Sequence, residues 1–307
     1  MILEKNAVHE ELYELQFKMV LERLSNDEQP YPELPNGGIS EEAIEEAGEQ
    51  FKAALRRQLI KSEDKNSFRL RMSNIGRPSC QLQMEKNPDV VASRRPYNHV
   101  VRMLIGDATE CIVNAIIPTT KINVTGHNEE TQIEIASSTI KGTNDIELDN
   151  KVFDVKSASP WAFANKWSKG WQGLMEEDSF GYKAQLLAYS KGRGIDAGGW
   201  IVVNKASGEI AVILCEATEE DTKKVWKGVE DTVRKITNEE PFERCFEPYP
   251  ETFRGKPTGA TRLPPVCTFC DYMRSCWPEA VYKPSGESKA KNPPMHWYID
   301  YPEKKEE

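Results

Sequence analysis

Apolar positions in the first part of the chain recur at helical intervals. From Met1 to about Leu24, the residues Leu12, Leu15, Phe17, Met19 and Leu24 are set among Glu and Lys, which predicts a helix. The segment QPYPELPNGG then breaks the pattern, because its prolines and paired glycines cannot continue a helix. A second helix is predicted after Ser40, a good N-cap, with Glu41 and Glu42 in the first turn and Ile44, Ala47, Phe51, Ala54 and Leu55 on one stripe. A third runs over 97–114, with Val100, Val101, Leu104, Ile105 and Ala108 available for packing.

The pattern then becomes strand-like. Strands are predicted over 131–136, 139–148 and 151–156, the last two joined at Asp149 and Asn150, residue types that tolerate a tight hairpin turn. After a Trp-rich loop, a helix is expected over 180–191 with Ser179 as cap. GWIVVNK and EIAVILCEA follow as strands around Ala206, Ser207 and Gly208, and Thr218 opens a helix to about Ile236 with Val225, Val229, Val233 and Ile236 as its stripe. This order predicts an α/β domain, a mixed sheet flanked by helices. We expect a helical N-terminal extension over 1–66, a catalytic domain over 67–282, and a Lys-, Glu- and Pro-rich tail over 283–307 that packs in part through Trp297 and Tyr298.

Charge narrows the function classes. A net charge of -9 argues against a protein that coats nucleic acid, since that binding needs Lys and Arg to displace counterions. It leaves room for a local basic groove, and Arg69, Arg71, Arg77, Arg94, Arg95 and Arg102 form either such a groove or a solvated face. No apolar run approaches the roughly 20 residues of a spanning helix, and the start MILEKNAVHEELYEL is too acidic for a signal peptide, so a cytoplasmic protein without membrane contact is expected. The histidines His9, His99, His127 and His296 have no ligand spacing, and no phosphate-binding G-x-x-x-x-G-K-[ST] loop occurs.

The chemistry concentrates on the predicted hairpin. Along Lys151-Val-Phe-Asp-Val-Lys156, alternation puts Asp154 and Lys156 on one face and Phe153 and Val155 on the other. The turn near Asn150 folds Asp145 back toward Asp154. Two carboxylates brought together repel unless a hard cation such as Mg²⁺ or Mn²⁺ neutralises them. An exposed acidic hairpin with a surface lysine is the ordinary reading of an isolated D-x-K.

More than D-x-K is present. Glu110 stands on a predicted helix after Gly106, Gly142 and Asp145 form G-x-x-D, Asp154 and Lys156 form D-x-K, and Gln185 and Tyr189 stand four apart on a helix as Q-x-x-x-Y. This ordered set, from Gly106 to Tyr189, resembles the PD-(D/E)xK nuclease superfamily, and the Q-x-x-x-Y element resembles its RecB-like branch. That branch usually carries a His where this chain has Glu110, as phage lambda-type exonucleases do. The resemblance implies a restriction-endonuclease-like fold and a Mg²⁺- or Mn²⁺-dependent DNA exonuclease. Glu110, Asp145, Asp154 and the Val155 carbonyl would be its metal ligands, Lys156 would act on water and phosphate, and Gln185 and Tyr189 would position the DNA backbone or the carboxylates. It also implies DNA with free ends or single strands as substrate, and a helicase or integrase-like protein as a partner.

The chain has seven cysteines, an odd number that favours reduced thiols or metal ligands over a disulfide framework. Cys267, Cys270 and Cys276 form C-x2-C-x5-C, which lets three thiolates converge on Zn²⁺ or an iron-sulfur cluster but leaves a fourth ligand to come from elsewhere. AddB and the CRISPR-associated RecB-like exonucleases place one cysteine before the nuclease motifs and C-x2-C-x5-C after them, around a [4Fe-4S] cluster. By that resemblance the fourth ligand is Cys80, leaving Cys111, Cys215 and Cys245 as ordinary buried residues. Finally, Trp161, Phe163, Trp167 and Trp171 with Lys166 and Lys169 are either a platform for stacking single-stranded bases or the packing of a long loop.

Overall fold

The computed structural model describes residues 2–60, 68–176, 178–286, 288 and 291–302. The ends of the expected N-terminal extension, 61–66, and of the expected tail, 303–307, lie outside the described residues. In chain order the helices are α1 (Ile2–Ser25), α2 (Glu41–Leu59), α3 (Ser79–Lys86), α4 (His99–Ile116), α5 (Pro160–Asn165), α6 (Gly170–Glu176), α7 (Tyr182–Arg193), α8 (Glu219–Thr237), α9 (Pro265–Thr268) and α10 (Met273–Cys276). The strands are β1 (Val124–His127), β2 (Glu130–Ile135), β3 (Ser138–Thr143), β4 (Ile146–Leu148), β5 (Lys151–Ala158), β6 (Asp196–Asn204), β7 (Ile210–Leu214), β8 (Tyr249–Phe253), β9 (Lys256–Arg262), β10 (Val281–Pro284) and β11 (Met295–Asp300).

The chain forms two compact units. The first comprises 1–66, 70–76 and 97–231, the second 67–69, 77–96 and 232–307. In the first, a five-stranded sheet has the order β1-β4-β5-β6-β7, with β5 and β6 parallel and the other neighbours antiparallel. The expected mixed α/β architecture is therefore present. A parallel pair needs a crossover, and α5, α6 and α7 supply it, so the Trp-rich segment is helical rather than a loop. Phe153 and Val155 of β5 join Ile146, Leu148, Ile201, Val212 and Leu214 in a core closed by Tyr13 and Phe17 of α1 and Val113 of α4. The first helix is thus part of this core.

Ser40 caps α2 by accepting the Ala43 N–H, as its position predicts. Thr218 and Asp221 satisfy each other's backbone N–H at the start of α8, a reciprocal cap. At α7 the cap is not Ser179. The Asp178 carboxylate accepts the N–H groups of Tyr182 and Lys183, and Gly181 takes the left-handed conformation that lets the chain turn in.

The predicted strand over 139–148 is two strands. β3 pairs with β2 in a separate two-stranded sheet, and β4 joins the main sheet. The break falls at Asn144, which is fully buried: its side chain accepts the Glu129 N–H and donates to Glu147. Arg193 pairs with Glu147 and with Glu129, tying the end of α7 to the same break.

In the second unit a four-stranded antiparallel sheet has the order β10-β11-β9-β8. Its core gathers Leu263, Cys267, Met273 and Trp277, with Phe246, Trp297 and Ile299 against them. Tyr298 is fully buried and donates to Glu251, so β11 is an internal strand of the sheet.

Candidate functional site

The β4–β5 hairpin closes at Asp149 and Asn150, with φ of 50° and 58°. Both are left-handed, the conformation a two-residue turn requires and these residues tolerate. Its ladder ends at Ile146 opposite Phe153, so Asp145 and Asp154 are the next opposed positions. Asp145 Oδ2 accepts the Val155 N–H at 2.7 Å, which fixes that carboxylate beside the strand carrying Asp154.

Asp154 is 1% exposed, and its Oδ1 accepts no hydrogen bond from the described residues. Oδ2 is ion-paired with Lys156, two residues on and therefore on the same face. Beside Asp154 in the parallel register stands Trp200, fully buried, on which Trp171 stacks at 5.9 Å between ring centroids and Trp167 tilts at the same separation. Trp167 and Trp171 are themselves buried. They pack on Trp200, the register neighbour of Asp154, so of the two readings of the aromatic segment, packing holds for this pair; Trp161 is exposed.

α7 covers the same face. Gln185 Nε2 donates to the Tyr189 hydroxyl at 3.2 Å, both residues being buried. Gly142 makes that placement possible, because a Cβ there would stand 2.7 Å from Tyr189 Cε1 and 2.8 Å from Met72 Cβ. One residue that the motif reading missed is Tyr182, whose ring lies 5.2 Å from Lys156 Nζ and 5.5 Å from Lys166 Nζ. Its signal in the sequence was weak, a tyrosine two helical turns before Tyr189 with no regular spacing to Lys156. Glu110, on α4, feels the charges of Lys156 and Asp154; on the same helix a Cβ added at Gly106 would stand 3.8 Å from Ser157 Oγ of β5, and Asp107 is paired with Arg57 of α2.

The electrostatics follow from this crowding. Burial pushes the Asp145 carboxyl well above the usual carboxylate range, and the charges of Asp154 and Glu110 push it further. Glu110 is raised by burial and by Asp154 and Asp107, against the pull of Lys156 and Arg57. For Lys156, burial disfavours the charge, but Asp154 and Asp145 outweigh it and its pKa rises. The Tyr189 hydroxyl is raised by burial and then by Asp154. The carboxyls Glu110, Asp145 and Asp154, with Lys156, Gln185 and Tyr189, thus act on one another electrostatically or by hydrogen bonds. Val155 contributes its N–H to this arrangement; a role for its carbonyl rests on the resemblance. Among the described residues, no three His, Cys, Asp or Glu side chains are gathered tightly enough to hold a single metal ion.

The second cluster lies in the second unit. Cys80, Cys245, Cys267, Cys270 and Cys276 line one pocket, with Val266, Met273, Phe246 and Trp277 as apolar wall. Burial raises Cys267 to about 12 and Cys270 to about 11, and also raises Cys276. A hydrogen bond between the Cys80 and Cys245 thiols pushes Cys80 up and draws Cys245 down to about 6. Cys245, expected to be an ordinary buried cysteine, is instead exposed and faces the pocket. Nothing in its spacing marked it, since the segment that carries it there lies far from C-x2-C in sequence. Cys111 is buried and Cys215 half-buried.

No family model matches the chain, and no curated protein matches it. A solved structure described as the crystal structure of SSO0001 is similar at 15% identity with a TM-score of 0.40, over 73% of this chain and 93% of that one. Among the described residues, no helix is long and apolar enough to cross a membrane.

Proposed function

We propose that the chain is a divalent-metal-dependent DNA nuclease of the PD-(D/E)xK superfamily, RecB-like, that hydrolyses phosphodiester bonds at DNA ends. The observation that carries this reading is Asp154, a buried carboxylate with one oxygen lacking any hydrogen bond from the described residues, beside a second carboxylate pinned by Val155 and a lysine on the same face. An acceptor left bare in a buried site is costly unless something absent from the protein fills it. Oxygen donors from Asp154, Asp145 and Glu110 suit Mg²⁺ or Mn²⁺. Such a cation, when bound, screens the phosphate and makes water a better nucleophile at neutral pH.

The chain's own groups then have separable tasks. Lys156, held charged by the carboxylates, presents an ammonium where charge develops on the phosphate. Tyr189 and Gln185 are buried, which favours a place behind the carboxylates over direct contact with DNA. Trp200, the buried register neighbour of Asp154 on which Trp167 and Trp171 pack, gives that carboxylate an apolar neighbour that would strengthen its interactions.

For the cysteine pocket we propose a [4Fe-4S] cluster that ties α3 to the C-x2-C-x5-C segment. The pocket is lined by five thiols and a mostly apolar wall, with Gln81 also at it. A helicase or integrase-like partner belongs to the same reading.

End-labelled linear DNA incubated with Mg²⁺ or Mn²⁺, with EDTA as control, tests the activity. Cleavage that needs the metal and disappears in Asp154→Ala and Lys156→Ala proteins is expected. Full activity in either variant overturns the assignment, and no cleavage of any DNA leaves a noncatalytic DNA-binding protein on this fold.

A further inference from the structure

The thiol pocket holds one more cysteine than a four-ligand cluster needs. Cys245 is not there by a loose loop. The preceding Arg244 lays its guanidinium 3.6 Å from the centre of the Trp277 ring and donates from Nε to the Cys276 carbonyl at 3.0 Å. The following Phe246 packs into the core around Cys267 and Met273. Cys245 is thus fixed from both sides against the segment that carries the other thiols.

It also shares its position with Cys80. The Cys80 backbone N–H donates to Cys245 Sγ at 3.0 Å, and the Ser79 hydroxyl lies 3.4 Å from the same sulfur. Backbone donors aimed at sulfur are what cluster thiolates receive, because they stabilise negative charge on sulfur. Gln83 of α3 donates to the carbonyls of Glu240 and Pro241, so the helix bearing Cys80 and the segment leading to Cys245 are tied together.

From this geometry we propose that the fourth cluster position is shared: Cys267, Cys270 and Cys276 hold three irons, and either Cys80 or Cys245 holds the fourth, each replacing the other when one is lost. Exchange needs no redox step; one thiolate leaves iron and takes up a proton as the other gives up its proton and binds. The proposal rests on the iron-sulfur reading above.

Anaerobically prepared wild type, Cys80→Ser, Cys245→Ser and the double variant are compared by visible absorption, iron and sulfide content, and alkylation with iodoacetamide mapped by mass spectrometry. Both single variants should keep the cluster, and the double variant should lose it. In Cys80→Ser, Cys245 should become resistant to alkylation, and in Cys245→Ser, Cys80 should be resistant. Loss of the cluster from either single variant that still folds by circular dichroism overturns the exchange, as does its retention in the double variant. If the double variant does not fold, the alkylation patterns of the single variants decide, and Cys245 alkylated in cluster-bearing Cys80→Ser overturns the proposal. A wild-type protein without iron and sulfide has a different meaning: the iron-sulfur reading itself then falls.

Discussion

Asp145 and Val155 are joined by a hydrogen bond of 2.7 Å from the Val155 N–H to Asp145 Oδ2, across the hairpin that also carries Asp154. One carboxylate therefore has two jobs, holding a buried backbone donor and supplying charge. Substitution separates them. Asp145→Asn keeps an oxygen acceptor for Val155 and should melt close to wild type while losing metal-dependent cleavage by roughly 100-fold or more. Asp145→Ala should lose cleavage and also about 1–3 kcal/mol of stability, since the Val155 N–H is left unpaired. Equal melting of the two variants would separate the hydrogen bond from stability and contradict this division.

Without metal, the carboxyl crowding predicts a pH dependence of stability. Asp145 and Glu110 have folded pKa values above their unfolded ones. Such acids bind more protons in the folded state, so their contribution is fully present below about pH 4, the unfolded carboxyl range, and is lost as pH rises through the raised values. Thermal melts in EDTA should show wild type falling relative to Asp145→Asn as pH rises from that range toward neutral. Added Mg²⁺ or Mn²⁺ should reverse the fall, because neutralised carboxylates no longer repel. A wild-type to variant difference that stays constant across this window would count against the raised pKa values.

Gly142 is a packing requirement before it is a motif letter. An alanine Cβ would press on Tyr189 and Met72 at 2.7 and 2.8 Å, closer than carbon atoms pack, and backbone or ring must move. Gly142→Ala should cost about 1–3 kcal/mol, as overpacked cores do. Combining it with Tyr189→Ala should return part of that stability by emptying the contact. Strict additivity in the double-mutant cycle would show that the two positions do not meet.

Arg193 holds a buried acid. Glu147 is 3% exposed and lies in β4, with Asn144 at the break between β3 and β4 donating to it. Arg193→Ala leaves that carboxylate without its cation and should cost about 3 kcal/mol, the low end for a broken buried pair because Arg193 itself is partly exposed. Glu147→Gln in the same background should recover stability, since no charge then remains to be paired. Urea melts of the two proteins check this.

The sequence revealed what local rules govern. The Asp149-Asn150 turn, the shared face of Asp154 and Lys156, the Ser40 and Thr218 caps and the periodicity of α8 depend on neighbours a few residues away, and each is present in the structure. What needed long-range partners stayed hidden. Asn144 splits one predicted strand in two because its partners Glu129 and Glu147 can be satisfied only by a break there. Phe17 was one of the apolar positions of a predicted helix and Tyr13 was not singled out, and only the sheet supplies the core that the two complete. Tyr182 beside Lys156 and Cys245 beside Cys80 are meetings across the fold with no pattern along the chain.

The two-residue turn at Asp149 and Asn150 is held from outside as well: the Tyr13 hydroxyl of α1 donates to Asp149 Oδ2 at 2.6 Å. Because strand side chains alternate sides at every residue, the loop works as a gauge for the site. A single residue inserted after Asn150 would leave both carboxylates in the chain and turn one of them to the wrong side of the sheet.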